Sequence, residues 1–360
     1  MSGPTVMAPA TRNRFRTLLK TLRVPAYLAA LILAFPLFDG WYSEGVSHIR
    51  VLFGKLAVST GIAPEGQQVM LGIFKPEVPY VLDDLRGMER HIGTRFDILS
   101  FYSTWGDRDE DQFPIELLRA VDDHGAMAMI TWEPWTSEFA VNAGRSSDAL
   151  RTDLAEISAG RYDAYIRSWA REAVIFGKPF FLRFAHEMNN PQYPWSTQAG
   201  NTAEEFIRAW RHVWTLFREE GAENVLWVWS PKREAPRELY PGGEYVDWVG
   251  TGVFNYGIHG DGWFGFEYLY ESVYRSVVLF DKPVMIAELG SVSSGGSRPD
   301  WFADAFRKIA ARYPATRAVV LFNNPADQTL PGMEMDWSVE DDATTLDRIA
   351  GAVQDGIVRN

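Results

Sequence analysis

Short apolar runs alternate with longer amphipathic stretches along most of this chain. The apolar runs lie at residues 68–74, 96–102, 126–132, 179–184, 224–230, 247–254, 283–288 and 317–323. Stretches with helical periodicity lie between them, for example 160–177, 202–221, 264–280 and 299–314. Near-continuous apolar strands that alternate with helices are typical of a parallel sheet covered by helices.

Eight such units over residues 67–358 predict an α/β fold of the (β/α)8 TIM barrel type. An open doubly wound sheet is the alternative, and it would place a glycine-rich phosphate turn after its first strand. The first run continues as GIFKPEVPY, which is not such a turn, so the barrel is favoured. Thr202 and Glu205 predict a capping box at the start of one helix.

The amino-terminal residues differ from the rest of the chain. Residues 1–23 are basic, residues 24–38 (VPAYLAALILAFPLF) carry no charge, and residues 39–66 read as a connector. A basic segment before an apolar one predicts export. Fifteen apolar residues are short for a membrane span, which needs roughly 20. We expect an uncleaved signal-anchor that holds the protein on the periplasmic or cell-surface side, with a cleaved signal peptide and secretion as the alternative.

Composition narrows the class of ligand. The net charge of −12 disfavours nucleic acid, whose affinity comes mainly from neutralised phosphate. The absence of cysteine excludes disulfides and thiolate metal sites. The chain contains 14 Trp, 14 Tyr and 22 Phe, which usually means core packing, but flat apolar rings with a polar edge also suit sugars.

Two carboxylates stand at strand ends that face each other across the predicted barrel. Active sites of such barrels lie at the carboxyl ends of the strands. Glu187 follows the fourth strand and Glu288 ends the seventh. A pair of carboxyls, one protonated and one ionised, is the minimum apparatus for cleaving a glycosidic bond. A single glutamate at a strand end is more often a salt-bridge partner, so the prediction depends on the joint occurrence.

Other chemistries find less support in the sequence. Glu187 has a histidine beside it, His186, but the metalloprotease pattern H-E-x-x-H is absent. No G-x-S-x-G nucleophile elbow occurs either. We therefore expect no metal and no cofactor.

Several stretches resemble family-26 glycoside hydrolases. LRFAHEMN (182–189) resembles the acid/base motif of that family, and KPVMIAELGS (282–291) resembles its nucleophile strand. NVLWVWSPK, DWVGTGVFNYG and AVVLFNNP are similar to its fifth, sixth and eighth strands, so the resemblance covers about residues 68–340. It implies a retaining barrel enzyme that cleaves β-linked polysaccharides, with Glu187 as acid/base and Glu288 as nucleophile.

The resemblance also implies supporting roles. Arg183 and Tyr256 would orient Glu288 and keep it ionised, and His186 would contact the sugar 2-hydroxyl and the nucleophile. Side chains expected to line or face the sugar subsites are Trp132, Trp195, Phe322 and Asn189. Trp195 is also expected to desolvate Glu187.

The sequence departs from the mannan-cleaving members in two places. Their acid/base motif resembles H-E-M-N-G followed by W-F-W-W-G, whereas residues 190–196 read NPQYPWS. Many of them have a histidine where Glu133 follows Trp132. The Tyr-Pro-Trp form is more similar to members that cut mixed-linkage β-1,3-1,4-glucan.

We therefore predict a retaining endo-β-glycanase that acts on a β-linked polysaccharide or oligosaccharide. Mixed-linkage glucan is favoured over β-1,4-mannan. The alternatives are a transglycosylase, and a non-hydrolytic polysaccharide-binding or exopolysaccharide-assembly protein on the same barrel.

Overall fold

A computed structural model describes residues 68–76, 82–139, 152–329 and 332–359. Within these ranges eight parallel strands form a closed barrel in chain order. They are β1 (Met70–Phe74), β2 (Ile98–Thr104), β3 (Met127–Glu133), β4 (Phe180–Phe184), β5 (Val225–Trp229), β6 (Trp248–Asn255), β7 (Val284–Ser291) and β8 (Thr316–Phe322). The predicted basic segment 1–23, apolar segment 24–38 and connector 39–66 lie outside the described residues.

The described helices follow the strands and surround them. They are α1 (Leu82–Ile92), α2 (Ile115–His124), α3 (Leu154–Ser158), α4 (Asp163–Phe176), α5 (Ala203–Glu219), α6 (Phe266–Val277), α7 (Arg298–Arg312) and α8 (Ala343–Gln354). None of these helices is long and apolar enough to cross a bilayer. Leu71 of β1 pairs with Val319 of β8, which closes the sheet. The (β/α)8 prediction is therefore confirmed, and the open doubly wound sheet is excluded.

Alternation along each strand separates two cores. Side chains such as Met129, Phe181 and Trp248 fill the interior of the barrel. Their neighbours in sequence, such as Ile130 and Leu182, pack outward against the helices. Because successive side chains point to opposite faces of a strand, this parity decides which residues at the strand ends point into the barrel mouth.

A bulge in β7 changes that parity just before Glu288. Thr251 of β6 pairs with Ile286, but the next residue, Gly252, pairs with Glu288, so Ala287 is extra. Ile286 packs outward, and strict alternation would turn Glu288 outward as well. The extra residue instead aims Glu288 at the barrel mouth, as bulges beside functional sites often do.

The predicted capping box begins α5. The hydroxyl of Thr202 accepts a hydrogen bond from the backbone N–H of Glu205 at 3.1 Å, and the carboxylate of Glu205 accepts one from the N–H of Thr202 at 2.7 Å. These two bonds satisfy donors that the first helical turn leaves open. They fix where the chain after β4 turns back into a helix.

Candidate active site

A cleft of about 1130 Å³ opens at the carboxyl ends of the strands. Its lining includes Tyr102, Glu187, Tyr193 and Glu288. Another cavity, of about 710 Å³, lies around Asp97 and Arg359, which flank the amino ends of strands. Catalytic groups of barrel enzymes lie at the carboxyl ends, so the first cleft is the candidate active site.

Glu288 is buried and held by two donors. Its Oε1 accepts a hydrogen bond from the hydroxyl of Tyr102 at 2.5 Å and another from Nη2 of Arg183 at 2.5 Å. Arg183 is fixed in turn, because its Nε donates to the hydroxyl of Thr131 at 2.8 Å. Burial and then the charge of Glu288 raise the pKa of Tyr102 well above its ordinary value, so this phenol remains a donor. Both contacts are charge-assisted hydrogen bonds, which hold this carboxylate in place.

Glu187 lies in a strained turn immediately after β4. Ala185 and Glu187 both have positive φ, at 43° and 49°, which costs energy for residues other than glycine. Neighbouring strands stabilise the turn: Ala185 N–H donates to the carbonyl of Trp132 at 3.0 Å, and Glu187 N–H donates to that of Ser230 at 2.6 Å. These two hydrogen bonds offset the strain, and the turn directs the Glu187 side chain into the cleft.

The carboxyl of Glu187 has an environment unlike that of Glu288. Burial, and then the negative charge of Glu288, raise the pKa of Glu187, whereas Lys232 and Asn190 oppose the rise. Asn190 contributes by donating a hydrogen bond to Oε2 of Glu187 at 2.6 Å. The cleft therefore favours a proton on Glu187 while Glu288 is paired with a guanidinium.

A third carboxyl, Glu133, lies beside His186. Burial raises the pKa of Glu133 to about 7, against a hydrogen bond from the indole of Trp135. His186 is almost fully buried, with Nε2 at 3.0 Å from the hydroxyl of Tyr193 and Nδ1 at 3.9 Å from Oε1 of Glu133. Burial and then Arg183 lower the pKa of His186 well below its ordinary value, so the ring is neutral.

These groups give the cleft one carboxylate that is paired with a guanidinium and one carboxyl whose pKa is raised. Such a pair can protonate a leaving oxygen on one side of a bond and present a nucleophile on the other. In the part of the chain that the structure describes, no group of three or more His, Cys, Asp and Glu side chains is placed to hold a metal ion.

Comparison with known proteins places the chain in a family. Residues 150–337, just over half of the chain, match the family described as "Glycosyl hydrolase family 26". The chain belongs to glycosyl hydrolase family 26. The resemblance noted in the acid/base and nucleophile motifs is thereby confirmed.

Curated relatives match with moderate identity. "Endoglucanase H" of Acetivibrio thermocellus is 29% identical over 266 residues, which are 71% of this chain and 27% of that protein. "Beta-1,3-xylanase TXYA" of Vibrio sp. is 32% identical over 113 residues, 29% of this chain and 23% of that protein. The chain thus spans about a quarter of the length of these relatives.

Solved structures of the family share the fold. A GH26 β-mannanase from Bacteroides ovatus has a TM-score of 0.64 at 16% identity, covering 86% of this chain and 94% of its own. GH26C from Muricauda sp. MAR_2010_75 has a TM-score of 0.62 at 14% identity, covering 87% and 91%. At such identities the likeness concerns the barrel alone.

The structure brings Arg183 to Glu288, as the family resemblance implies, but it places Tyr256 elsewhere. The hydroxyl that bonds Glu288 belongs to Tyr102. The ring of Tyr256 packs edge-on against Trp337, with centroids 5.2 Å apart, and lines the cleft. Among the described residues, Tyr256 makes no hydrogen bond to Glu288. Tyr102 has this role because it points inward from β2, on the same face as Ile98.

Two tryptophans expected at sugar subsites are core residues. Trp132 is 0% exposed and stacks on Trp169, with ring centroids 4.4 Å apart, in the layer between barrel and helices. The alternation of side chains along β3 explains this position. Met129 faces the barrel interior, so Thr131, two residues later, faces inward as well, and Trp132 faces outward. Trp195 is 0% exposed and donates its indole N–H to the carbonyl of His186 at 2.7 Å. It supports the turn that carries Glu187, and because its ring is fully buried it cannot stack on a sugar.

Two polar residues also differ from expectation. Asn189 was expected to face substrate, but its amide pairs with the backbone of Lys232, donating at 2.9 Å and accepting at 2.8 Å. It therefore joins the turn after β4 to the loop after β5. His186 was expected to contact the nucleophile, yet in this structure its Nε2 is paired with Tyr193.

Phe322 lies where the sequence prediction placed it, in the lining of the cleft at the end of β8. Its ring stacks on Phe74 with centroids 4.9 Å apart. Sequence reasoning missed Tyr102 and Tyr193. The inward parity of Ile98, Ser100 and Tyr102 along β2 is the signal that would have found the first. The second was visible only as part of the unusual Tyr-Pro-Trp run.

Proposed function

We propose that this member of family 26 is a retaining endo-β-glycanase that works by double displacement with Glu187 and Glu288. One observation carries the proposal: a buried carboxyl, Glu288, and a half-buried one, Glu187, line one cleft, the first held by Arg183 and Tyr102 and the second with a raised pKa. The two environments separate the roles of nucleophile and acid, as glycosidases require.

In the first step, Glu288 attacks the anomeric carbon while Glu187 protonates the glycosidic oxygen. Oε1 of Glu288 is occupied by its two donors, and among the described residues nothing bonds Oε2, so Oε2 is the attacking atom. The bond from the anomeric carbon to the leaving oxygen breaks as an ester to Glu288 forms. Glu187 ends the step ionised, and Asn190 stabilises that carboxylate through its amide.

In the second step, Glu187 takes a proton from water, whose oxygen attacks the same anomeric carbon. The ester bond breaks, Glu288 regains its negative charge, and Glu187 is protonated again. Two displacements at one carbon give net retention of configuration. The rise in the pKa of Glu187 that the charge of Glu288 causes disappears while Glu288 is esterified, which suits the change from acid to base.

We favour mixed-linkage β-1,3-1,4-glucan over β-1,4-mannan as the substrate. A relative that matches 71% of this chain at 29% identity carries the name Endoglucanase H. The solved β-mannanases are more distant, at 14–18% identity. Glu133, which stands where many mannanases have histidine, is buried beside His186 and changes the polar lining behind the cleft.

A glycan panel tests the proposal. The full-length chain is incubated with lichenan, glucomannan and mannan, and the release of reducing ends is measured with Glu187→Ala and Glu288→Ala as matched variants. We expect cleavage of lichenan by the native protein and a loss of at least about 1000-fold in both variants. Full activity of either variant would contradict the assignment. Retardation in a lichenan gel without release of reducing ends would instead support the non-hydrolytic binding protein.

We further propose that the protein is exported and held at the membrane by residues 24–38. The uncharged run after a basic segment supports this. A carboxyl-terminal tag on the full chain should be digested by protease added to spheroplasts. Protection of the tag until the cells are lysed would contradict export, and a loss of mass at the amino terminus would indicate cleavage instead of anchoring.

A further inference from the structure

The cleft extends beyond the carboxyl pair along one face of α6. Its lining includes Tyr268, Glu271, Ser272 and Arg275, which follow the spacing of one helical face. Residues 232–234 line it as well. The N–H of Ala235 donates to the hydroxyl of Ser276 at 2.8 Å, which fixes this loop to the helix. At about 1130 Å³ the cleft exceeds the roughly 300–1000 Å³ of typical small-molecule pockets, so it has room for several sugar units.

An exposed aromatic ring lies in this extension. Tyr268 is 72% exposed, and its ring stacks on Phe264 with centroids 4.6 Å apart and planes 17° apart. Since Phe264 covers one face of the Tyr268 ring, the other face is open. An aromatic ring with an open face at the rim of a cleft offers a flat apolar surface with a polar edge.

The stacked pair is held in place by the barrel. The carbonyl of Phe264 accepts a hydrogen bond from the indole of Trp301 at 3.0 Å, and its N–H donates to Asn255 at 3.4 Å. Tyr268 lies in the first turn of α6, two residues after its start at Phe266. A ring positioned before binding loses little conformational freedom when a ligand stacks on it.

The chemistry around the pair suits a carbohydrate more than a protein partner. His259 and Asp261, from the loop that precedes Phe264, line the same cleft and can bond hydroxyl groups. The C–H face of a pyranose can stack on the ring while its equatorial hydroxyls reach such polar groups. Exposed Ile258 lies nearby in sequence and would fit a protein surface, but the continuity of Tyr268 with the cleft of Glu187 favours the chain that enters that cleft.

We propose that Phe264 and Tyr268 form a distal subsite that stacks on a sugar of the polysaccharide, remote from the bond cleaved between Glu187 and Glu288. The inference rests on the proposed glycanase function and adds to it a residue that discriminates by chain length. Tyr268 supplies the open ring, and Phe264 is a positioning residue that holds it flat. Long glycans reach this subsite and short ones do not.

The test compares Tyr268→Ala with Tyr268→Phe in the full-length chain. Leu279→Ala is the control, because Leu279 is 59% exposed just after α6 and is not part of the cleft lining. For each variant, kcat/KM is measured on lichenan and on an aryl β-glycoside of a disaccharide. Affinity electrophoresis in lichenan gels repeats the comparison in a Glu288→Ala background.

We expect Tyr268→Ala to lower kcat/KM on lichenan about 3- to 10-fold, mainly through KM, and to weaken gel retardation, because one stacking contact is lost. The short glycoside should be cleaved at the native rate, and Tyr268→Phe and Leu279→Ala should match the native protein. Equal losses on both substrates, or no loss on lichenan, would overturn the subsite while leaving the glycanase proposal standing. Retardation that depends on Tyr268 in the absence of any hydrolysis would support the subsite and remove the hydrolytic function. If no panel glycan is bound or cleaved, both proposals fall.

Discussion

The exchange Tyr102→Phe tests a hydrogen bond to the nucleophile, and it also removes a longer one, at 3.3 Å, that the same hydroxyl accepts from Nη2 of Arg183. It removes a hydroxyl that donates to Oε1 of Glu288 at 2.5 Å and keeps the ring that packs on Phe74. A hydrogen bond to a charged group contributes roughly 1.5–3 kcal/mol. Arg183 still pairs with Glu288, so the charge stays compensated and the fold is expected to persist. If the full contribution is needed to reach the transition state, kcat/KM falls about 10- to 150-fold.

The assay measures kcat/KM on lichenan, with unfolding in urea as a check that the variant is folded. Tyr256→Phe is the matched control, because Tyr256 lines the same cleft and its hydroxyl makes no hydrogen bond to Glu288 among the described residues. Its expected change is within about 3-fold. A loss in Tyr256→Phe larger than that in Tyr102→Phe would refute this assignment of donors. It would indicate that substrate binding rearranges the cleft towards the arrangement that the family resemblance implies.

Three further outcomes concern Glu133, Trp132 and Asn189. Glu133→Gln should remove a pH dependence of stability. The raised pKa of about 7 gives the native fold a contribution that is complete below the ordinary value of 4.5 and is lost as pH rises through 7. Urea unfolding should therefore shift in favour of the variant by about 2.5 kcal/mol between pH 5 and pH 8. A constant difference across that range would show that Glu133 is ionised in the fold. Trp132→Ala should lower the free energy of unfolding by about 3–5 kcal/mol and leave KM unchanged, because the ring is fully buried. A rise in KM without destabilisation would instead indicate that Trp132 contacts the sugar. Asn189→Ala removes the two hydrogen bonds between the turn of Glu187 and the backbone of Lys232. It should lower kcat about 10-fold or more with little change in KM, because Glu187 is then less well positioned. An effect on KM alone would mean that Asn189 contacts substrate.

The barrel was predictable because its signal is repeated along the chain. Eight apolar runs, each between amphipathic stretches, gave the eight strands to within a few residues at each end. The capping box at Thr202 was equally local, since three residues and their backbone groups determine it. The placement of Glu187 and Glu288 in one cleft then followed from the rule that strand carboxyl ends converge.

The finer geometry depends on hydrogen bonds between neighbouring strands, which the sequence of one strand does not reveal. Strict alternation would turn Glu288 toward the helices, and the bulge at Ala287 that prevents this is a property of the pairing between β6 and β7. Likewise, the positive φ of Ala185 and Glu187 is stabilised by backbone hydrogen bonds that these residues donate to carbonyls in β3 and just after β5. Neither feature has a sequence signature in the residue types involved.

For Trp132 and Tyr102, the alternation of side chains along the strand decides which of them points into the barrel. Both lie near strand ends, and the apolar run alone makes the tryptophan the more attractive candidate for a sugar platform. Because Thr131 and Glu133 on either side of it point inward, Trp132 must point out of the barrel towards the helices. Counting in steps of two from Ile98 would likewise have placed Tyr102 inside.

Double displacement requires that Glu288 forms a covalent ester with the sugar while Glu187 protonates the leaving oxygen. Trapping that ester tests it directly: the full-length chain is treated with a 2-deoxy-2-fluoro β-glycoside that carries a good leaving group, and the labelled peptide is mapped by mass spectrometry. We expect one added glycosyl group on Glu288, within the peptide that contains β7. Label on Glu187 or Glu133, or continued turnover with an inverted product and no label, would contradict it.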